Sequence, residues 1–455
     1  MSGDPDPMSS APDRLDRPSA DSLADALFPR VALGTRWELD RTRRALRTLG
    51  DPHLEFASLH VGGTNGKGSV AAMLDSVLRS AGHRVGLYTS PQLCGFQERF
   101  IVDGAPLAET VLRSGGDPVR RVVEEEGLTF FEAATVLAFL LFAEAGVKVA
   151  VVEVGLGGRL DATNVLTPAV SIVTNVALDH AEYLGRDLTD IAREKAGIIK
   201  AGVPVVVGER DPELLDVFRR EAANRGAPFH PIDPERDVRL LDVRRDHTAF
   251  VARTDRWGEL RLRTGLVGEH QAANGAVAIA ALECLPSHLR PNPEAVIEGV
   301  RSVRWPGRNQ VEIIDGRTWL FDVAHNAAGV GTLIDTLERI DLPRPWVGLI
   351  GIAKDKDWRS MLPPLLSRCA SAWLTRPALG PLERRWDPAE VAEALELADD
   401  ASKRASVRVE PDLDRALIGA RMDAGEGTVV VTGSVYTVGS ALLSLERPPF
   451  GAPTP

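Results

Sequence analysis

The stretch Gly62-Gly63-Thr64-Asn65-Gly66-Lys67-Gly68-Ser69 constrains this chain more than any other. Phe56 to Val61, just before it, is short and mixed and reads as a buried strand. Beyond it, apolar residues fall at Val70, Met73, Leu74, Val77, Leu78 and Ala81, the spacing of one helix face, with Gly82 as a C-cap. A glycine-rich loop between a strand and a helix is the context that a phosphate-binding loop requires.

Glycines let backbone N–H groups approach a polyphosphate, and the helix N-terminus adds positive potential. Lys67 can then set a charge against the outer phosphates. The spacing departs from the common pattern, in which Ser or Thr directly follows the Lys. Here Gly68 follows Lys67, and Ser69 comes one residue later. A plain glycine turn with a surface lysine is the alternative, and the ordered strand, loop and helix argue against it.

A chain of 455 residues has room for two domains and an ample core. Its net charge of -11 argues against a general nucleic-acid or membrane-surface binder, though not against a local basic pocket for an anionic substrate. Cys94, Cys284 and Cys369 are far apart and odd in number, as expected of reduced thiols in the cytoplasm. Ser2 to about Ala20 is rich in Asp, Pro and Ser, lacks the pattern of a signal peptide, and is expected to be a disordered tail over residues 1–20. The most apolar helix candidate, Ala133 to Val147, is too short to span a bilayer and contains Glu144.

Further strands are expected at Arg84–Tyr88, Val147–Val154, Val170–Val176 and Val203–Val207, with a loop from Gln92 to Val102. Thr129-Phe130-Phe131-Glu132 is a capping box opening an apolar helix, and Leu188–Ile199 and Gly268–Leu285 read as further helices. Between Asp237 and Arg263 the periodicity shifts to alternation, the mark of a small antiparallel region. Trp305-Pro306-Gly307-Arg308 is the expected domain boundary. Strand–helix alternation then resumes, with strands at Trp319–Val323, Val347–Ile352, Ala372–Thr375, Val407–Val409 and Val429–Thr432. This predicts a second, smaller parallel α/β unit whose strand ends face the first across a cleft.

In open α/β sheets ligands gather beyond the carboxyl ends of strands. Ser90, Glu153 and His180 all stand at such ends. A hydroxyl and a carboxylate suit Mg²⁺, whereas His is a softer ligand than that ion prefers, and a loop histidine more often serves as a hydrogen-bonding group. Lys195 is open between a solvated helix lysine, a charge against phosphate, and an amine that takes up carbon dioxide to become an anionic ligand. The residues alone therefore point to a metal- and nucleotide-dependent enzyme or switch.

Several motifs resemble the folylpolyglutamate synthase and dihydrofolate synthase family of Mur-type ligases. They are Gly63 to Ser69, Thr89-Ser90-Pro91, Gly155 to Asn164 (GLGGRLDATN), Thr174 to His180 (TNVALDH) and Glu194 to Ile198. His270-Gln271 with Asn274, Pro306-Gly307-Arg308 and Asp322-Val323-Ala324-His325-Asn326 match as well. The match runs in order from about residue 22 to about residue 445. It departs at Gln92, where the family has His, and at Ala327, where it has Pro.

The resemblance implies an α/β fold in two parts. Residues 21–304 would form a P-loop-type ATPase domain with a mostly parallel sheet and a small antiparallel β region. Residues 305–447 would form a smaller Rossmann-like glutamate-ligase domain. It also implies ATP-dependent ligation of L-glutamate to dihydropteroate, a reduced folate or both, through an acyl phosphate. Gly63, Thr64, Asn65, Gly66, Lys67, Gly68 and Ser69 would hold the phosphates, and Asn274, Arg308 and Asp322 would contact the nucleotide. Ser90, Glu153, His180 and a carbamylated Lys195 would hold two Mg²⁺ ions. Lys67, Lys195 and His325 would serve the chemistry, with Ser434 nearby. The loop from Phe96 to Arg99 would lie on the folate side.

The resemblance further implies a cytoplasmic monomer acting on small molecules, without nucleic acid or membrane. A cell-wall Mur ligase is the first alternative; only about sixty residues precede the loop, against roughly 100 for the extra domain such enzymes carry. A nucleotide-dependent switch is the second, and the chain has no Asn-Lys-x-Asp guanine motif.

Overall fold

The computed structural model describes residues 22–28, 38–179, 184–185, 187–380, 384–397 and 406–450. The expected tail over 1–20 and the expected ligand His180 lie outside these residues.

The first sheet contains β1 (Ala57–Gly62), β2 (Val85–Tyr88), β3 (Phe100–Val102), β4 (Ala105–Pro106), β5 (Val149–Glu153), β6 (Val170–Val173), β7 (Val205–Val207) and β8 (Phe229–Pro231). Their order across the sheet is β4-β3-β2-β5-β1-β6-β7-β8. The β2–β3 and β3–β4 pairs are antiparallel and the rest parallel. The central strands are buried on both faces and almost wholly apolar, as a parallel sheet covered by helices requires. Helices Lys67–Ser80, Glu269–Glu283 and Pro293–Ser302 pack on one face. Helices Glu109–Glu126 and Phe130–Glu144 cover the other.

Beside this layer stands a three-stranded antiparallel sheet, β9 (Val238–Arg244), β10 (His247–Thr254) and β11 (Gly258–Thr264), where the alternating pattern predicted it. The third sheet is β12 (Gln310–Ile314), β13 (Arg317–Phe321), β14 (Trp346–Ile350), β15 (Ser371–Leu374), β16 (Ser406–Val409) and β17 (Thr428–Thr432), in the order β12-β13-β17-β14-β15-β16. Only β12 runs antiparallel, paired with β13. Separate apolar clusters fill its two faces. The two-part α/β architecture is thus as expected.

Several local expectations need correction. The segment Gln92–Val102 is not all loop: a 3-10 turn, Phe96–Arg99, leads into β3, whose Phe100 and Ile101 bury on opposite faces. Phe96 is fully buried in the core, while Glu98 and Arg99 of the same turn line a cavity. β6 stops at Val173, because Thr174 and Asn175 turn to hold the phosphate loop. The helix from Leu188 ends at Ala196. The residue capping Lys67–Ser80 is Ala81, with Gly82 beyond it at φ +84°. Helix Glu109–Glu126 was not expected, since Gly115, Gly116 and Pro118 mask it. A β-carbon at Gly115 would come within 2.5 Å of Leu141, so packing selects the glycine against helix propensity.

Candidate active site

The phosphate loop connects β1 to helix Lys67–Ser80 and is pinned from the neighbouring strand end. The Thr64 N–H donates to the Asn175 carbonyl at 2.9 Å, and the Asn65 N–H to Asn175 Oδ1 at 2.9 Å. Thr174 Oγ1 donates to the Asn65 carbonyl at 2.6 Å. Two glycines are required here. Gly63 has φ +135°, and a β-carbon there would fall 1.9 Å from Thr174 Oγ1. Gly66 has φ +82°, and its β-carbon would meet Asn274 Oδ1 at 2.6 Å. The loop's other polar groups are thereby left around a cavity of about 360 Å³ that also takes in Asn274, Arg308, Asp322 and His325.

Lys67 Nζ donates to the Thr64 carbonyl at 3.1 Å and stands 4.0 Å from Glu153 Oε1. Glu153 ends β5 and is buried; its Oε2 accepts from the Ser90 N–H at 3.2 Å. Burial raises its pKa, against the pull of Lys67. Lys195 is also buried, and its Nζ donates to the Gly63 carbonyl at 3.0 Å. Burial, then the charge of Lys67, lowers its pKa to about 7.

Asp322, at the end of β13, accepts from the backbone N–H groups of Asn309 and Ala324, both at 2.9 Å. Burial raises its pKa and lowers that of Arg308, while the attraction between the two opposes both shifts. Asn274 donates to Gln271 Oε1 at 3.1 Å. Ser434 caps helix Val435–Ser444, its hydroxyl accepting from the Thr437 N–H at 3.1 Å.

A second, larger cavity of about 530 Å³ adjoins the first. Ser90, Gln92, Arg99, Phe130, Phe131 and Leu156 line it from the first part of the chain, and His325, Lys356, Arg384, Ser434 and Tyr436 from the second. The two cavities share a wall at Ser90, Glu153, Arg308 and His325.

Sequence reasoning assigned no role to the clasp that joins the two parts. Asp179 ion-pairs with Lys356 Nζ through Oδ1. Its Oδ2 lies 3.3 Å from His325 Nε2 and accepts from Asn326 Nδ2 at 3.2 Å. Asn326 Nδ2 also donates to Asn65 Oδ1 at 3.0 Å, tying a strand end of the second part to the phosphate loop. Trp305 closes against the same loop, since a β-carbon at Gly68 would lie 2.7 Å from its indole nitrogen. The available signal was position, for Asp179 and Lys356 both follow strand ends.

The residues present fit Mg²⁺. Ser69 Oγ is buried without a hydrogen-bond partner among the described residues. The desolvated carboxylate of Glu153 would be held ionised by a bound cation, and Ser90 adds another oxygen donor, all hard ligands. Among the described residues no group of three or more His, Cys, Asp or Glu converges on one point.

Comparison with known proteins agrees with this arrangement. The Mur ligase middle domain matches residues 61–282, and the Mur ligase glutamate ligase domain matches residues 307–435. A folylpolyglutamate synthase from Lacticaseibacillus casei is 33% identical over 429 residues, 90% of this chain and 94% of that protein. A dihydrofolate synthase/folylpolyglutamate synthase from Mycobacterium tuberculosis is 32% identical over 472 residues, 95% of this chain and 96% of that one. The solved M. tuberculosis folylpolyglutamate synthase complexed with ADP superposes with a TM-score of 0.84 at 31% identity, covering 94% of this chain and 99% of that one. Escherichia coli FolC in complex with DHPP and ADP gives 0.81 at 31% identity, covering 94% and 98%. The chain belongs to the folylpolyglutamate synthase/dihydrofolate synthase family of Mur ligases.

Proposed function

We propose that the chain is an ATP-dependent ligase that adds L-glutamate to dihydropteroate, to folylpolyglutamates or to both. The observation that carries this reading is the shared wall of the two cavities. A carboxylate seated in the larger one meets the terminal phosphate of a nucleotide in the smaller one, beside Ser90, Glu153, Arg308 and His325. The relatives named for this activity, and the solved complexes of such relatives with ADP, support it.

A carboxylate is a poor electrophile and needs a leaving group. Its oxygen attacks the γ-phosphorus of ATP, the bond to the β-phosphate oxygen breaks, and ADP departs. The amine of glutamate, neutral when it reacts, then attacks the acyl carbon. Inorganic phosphate leaves with the C–O electron pair, and the amine gives up a proton. Lys67 and the amides at the start of helix Lys67–Ser80 stabilise charge on the transferring phosphoryl group. Arg308 and Asp322 orient the nucleotide, with Asn274 beside them. His325 stands where amine and acyl phosphate meet.

Mg²⁺ held by Ser90, Glu153, His180 and a carbamylated Lys195 would neutralise the phosphate charge. In this reading the set would hold two ions. In this reading residues 21–304 and 305–447 are the two functional units, and closure between them excludes water from the acyl phosphate. The protein acts as a cytoplasmic monomer on small molecules rather than on nucleic acid or membrane, in keeping with its net charge of -11 and its three free cysteines. Among the described residues no helix is long and apolar enough to cross a membrane.

The test is glutamate-dependent phosphate release from ATP, with dihydropteroate and tetrahydrofolate offered in turn. Release with one or both identifies the acceptor. Absence of release with either sinks the reading.

A further inference from the structure

The chain beyond the last helix reaches the larger cavity. Helix Val435–Ser444 closes through a tight set of bonds. The Leu445 N–H donates to the Ala441 carbonyl at 2.9 Å, the Glu446 N–H to Leu443 at 3.0 Å, and the Arg447 N–H to Leu442 at 2.8 Å. Glu446 sits at φ +57°, in the left-handed region that residues with a β-carbon seldom adopt. The closed turn holds it there and sends the chain back along the cavity. Pro448 and Pro449 follow, each with φ fixed by its ring, so the segment is stiff.

Pro449 and Phe450 form part of the cavity lining. Phe130 and Phe131 line it from the first part of the chain, and Tyr436 from the start of the same C-terminal helix. Phe450 is 38% exposed, so part of its ring is uncovered beside the cavity. An apolar ring on a stiff, anchored strap at the mouth of a cavity already lined by aromatic residues suits one kind of occupant, a flat aromatic group.

We propose that Phe450, presented by Pro448 and Pro449, is a specificity residue for the acceptor, forming the outer wall against which its flat aromatic part packs. The inference rests on the reading that the larger cavity receives the acceptor. It adds that the tail, and not only the cavity's other walls, sets acceptor affinity.

The test compares Phe450→Ala, Phe450→Trp and a chain ending at Arg447 with the full-length protein. Dihydropteroate binding is followed by quenching of tryptophan fluorescence, Trp305 being in the cavity wall. Acceptor, ATP and glutamate KM values are measured alongside. Covering the exposed part of one phenylalanine is expected to be worth about tenfold in affinity. Phe450→Ala and the truncation should therefore raise acceptor Kd and KM by about tenfold, with kcat falling far less and ATP KM little changed. Phe450→Trp should restore binding. A folded Phe450→Ala protein with unchanged acceptor Kd, or one losing ATP affinity equally, overturns the proposal. If the full-length protein binds and turns over acceptor while all variants match it, only the role of the tail fails. If the full-length protein does neither, the ligase reading fails and takes this inference with it.

Discussion

Lys195 Nζ reaches across from helix Leu188–Ala196 and donates to the carbonyl of Gly63 at 3.0 Å. A lysine is thus buried against the back of the phosphate loop, and its pKa falls to about 7 through desolvation first and the charge of Lys67 second. Above that pH the folded protein holds a neutral amine, while the unfolded chain keeps its proton up to the ordinary lysine range. A neutral amine reacts with carbon dioxide, forming an N–C bond and releasing a proton. We predict a carbamate on Lys195 that accumulates as pH rises through 7. Carbon-13 NMR in labelled bicarbonate should show the resonance in the native protein and lose it in Lys195→Ala. Activity lost in that variant should return in part with a short carboxylate. Native enzyme with full activity and no resonance at pH 8 would rule the carbamate out.

Lys67→Ala removes a cation that, among the described residues, bonds to the Thr64 carbonyl and stands near Glu153. Such a charge is expected to matter in the transition state more than in the fold. Phosphate release should fall by about a hundredfold or more, with circular dichroism and the melting temperature nearly unchanged. Near-normal turnover would show that the loop does not serve phosphoryl transfer.

Asp179 carries three partners from the ligase side, Lys356, His325 and Asn326. Replacing it by Asn removes the charge that Lys356 and His325 share, and losing one member of a buried pair costs more than losing both. Asp179→Asn should lower kcat by roughly tenfold while ADP affinity stays within about threefold, because the phosphate loop keeps its own bonds to Asn175. Small-angle scattering should report a larger radius of gyration in the variant. Unchanged scattering together with unchanged kcat would dismiss the clasp.

Much of this was legible in the chain because the physics is local. The phosphate loop is written in contiguous glycines, and Glu153 shows itself as a carboxylate ending an apolar strand. The small antiparallel sheet announces itself by alternation. The clasp did not show, since Asp179 and Lys356 are 177 positions apart and nothing in either neighbourhood names the other. Helix Glu109–Glu126 was hidden for a related reason. Gly115 and Gly116 break a helix by propensity, but they are needed where Leu141 and Leu27 press close. The charged Glu98 and Arg99 before β3 are buried, which their residue types alone do not announce. Glu98 folds back to accept from the N–H groups of Leu93, Cys94 and Gly95.

A last prediction concerns His60, wholly buried in the middle of β1. Its Nε2 lies 2.8 Å from Thr163 Oγ1, and that hydroxyl donates to Asp161. The hydroxyl proton is therefore committed to the carboxylate, so Nε2 carries the imidazole proton and donates to the oxygen. Nδ1 is left bare, with no partner among the described residues. Protonating it would bury a charge, and an N–H without an acceptor, near the cation of Lys200. Burial first, and Lys200 second, lower its pKa to about 3, from 6.5 for an ordinary histidine. Between those values the unfolded chain binds a proton that the folded protein refuses. Stability must then fall as pH falls through this window, by about 1.4 kcal/mol per pH unit from this residue alone. His60→Gln keeps a donor towards Thr163 and cannot titrate. Urea unfolding of both proteins at pH 7, 6, 5 and 4.5 should show the difference between them narrowing at that slope below about pH 6, as the native protein loses its advantage. Parallel pH profiles would mean that His60 takes up its proton in the fold at the same pH as in the unfolded chain, and would overturn the depressed pKa.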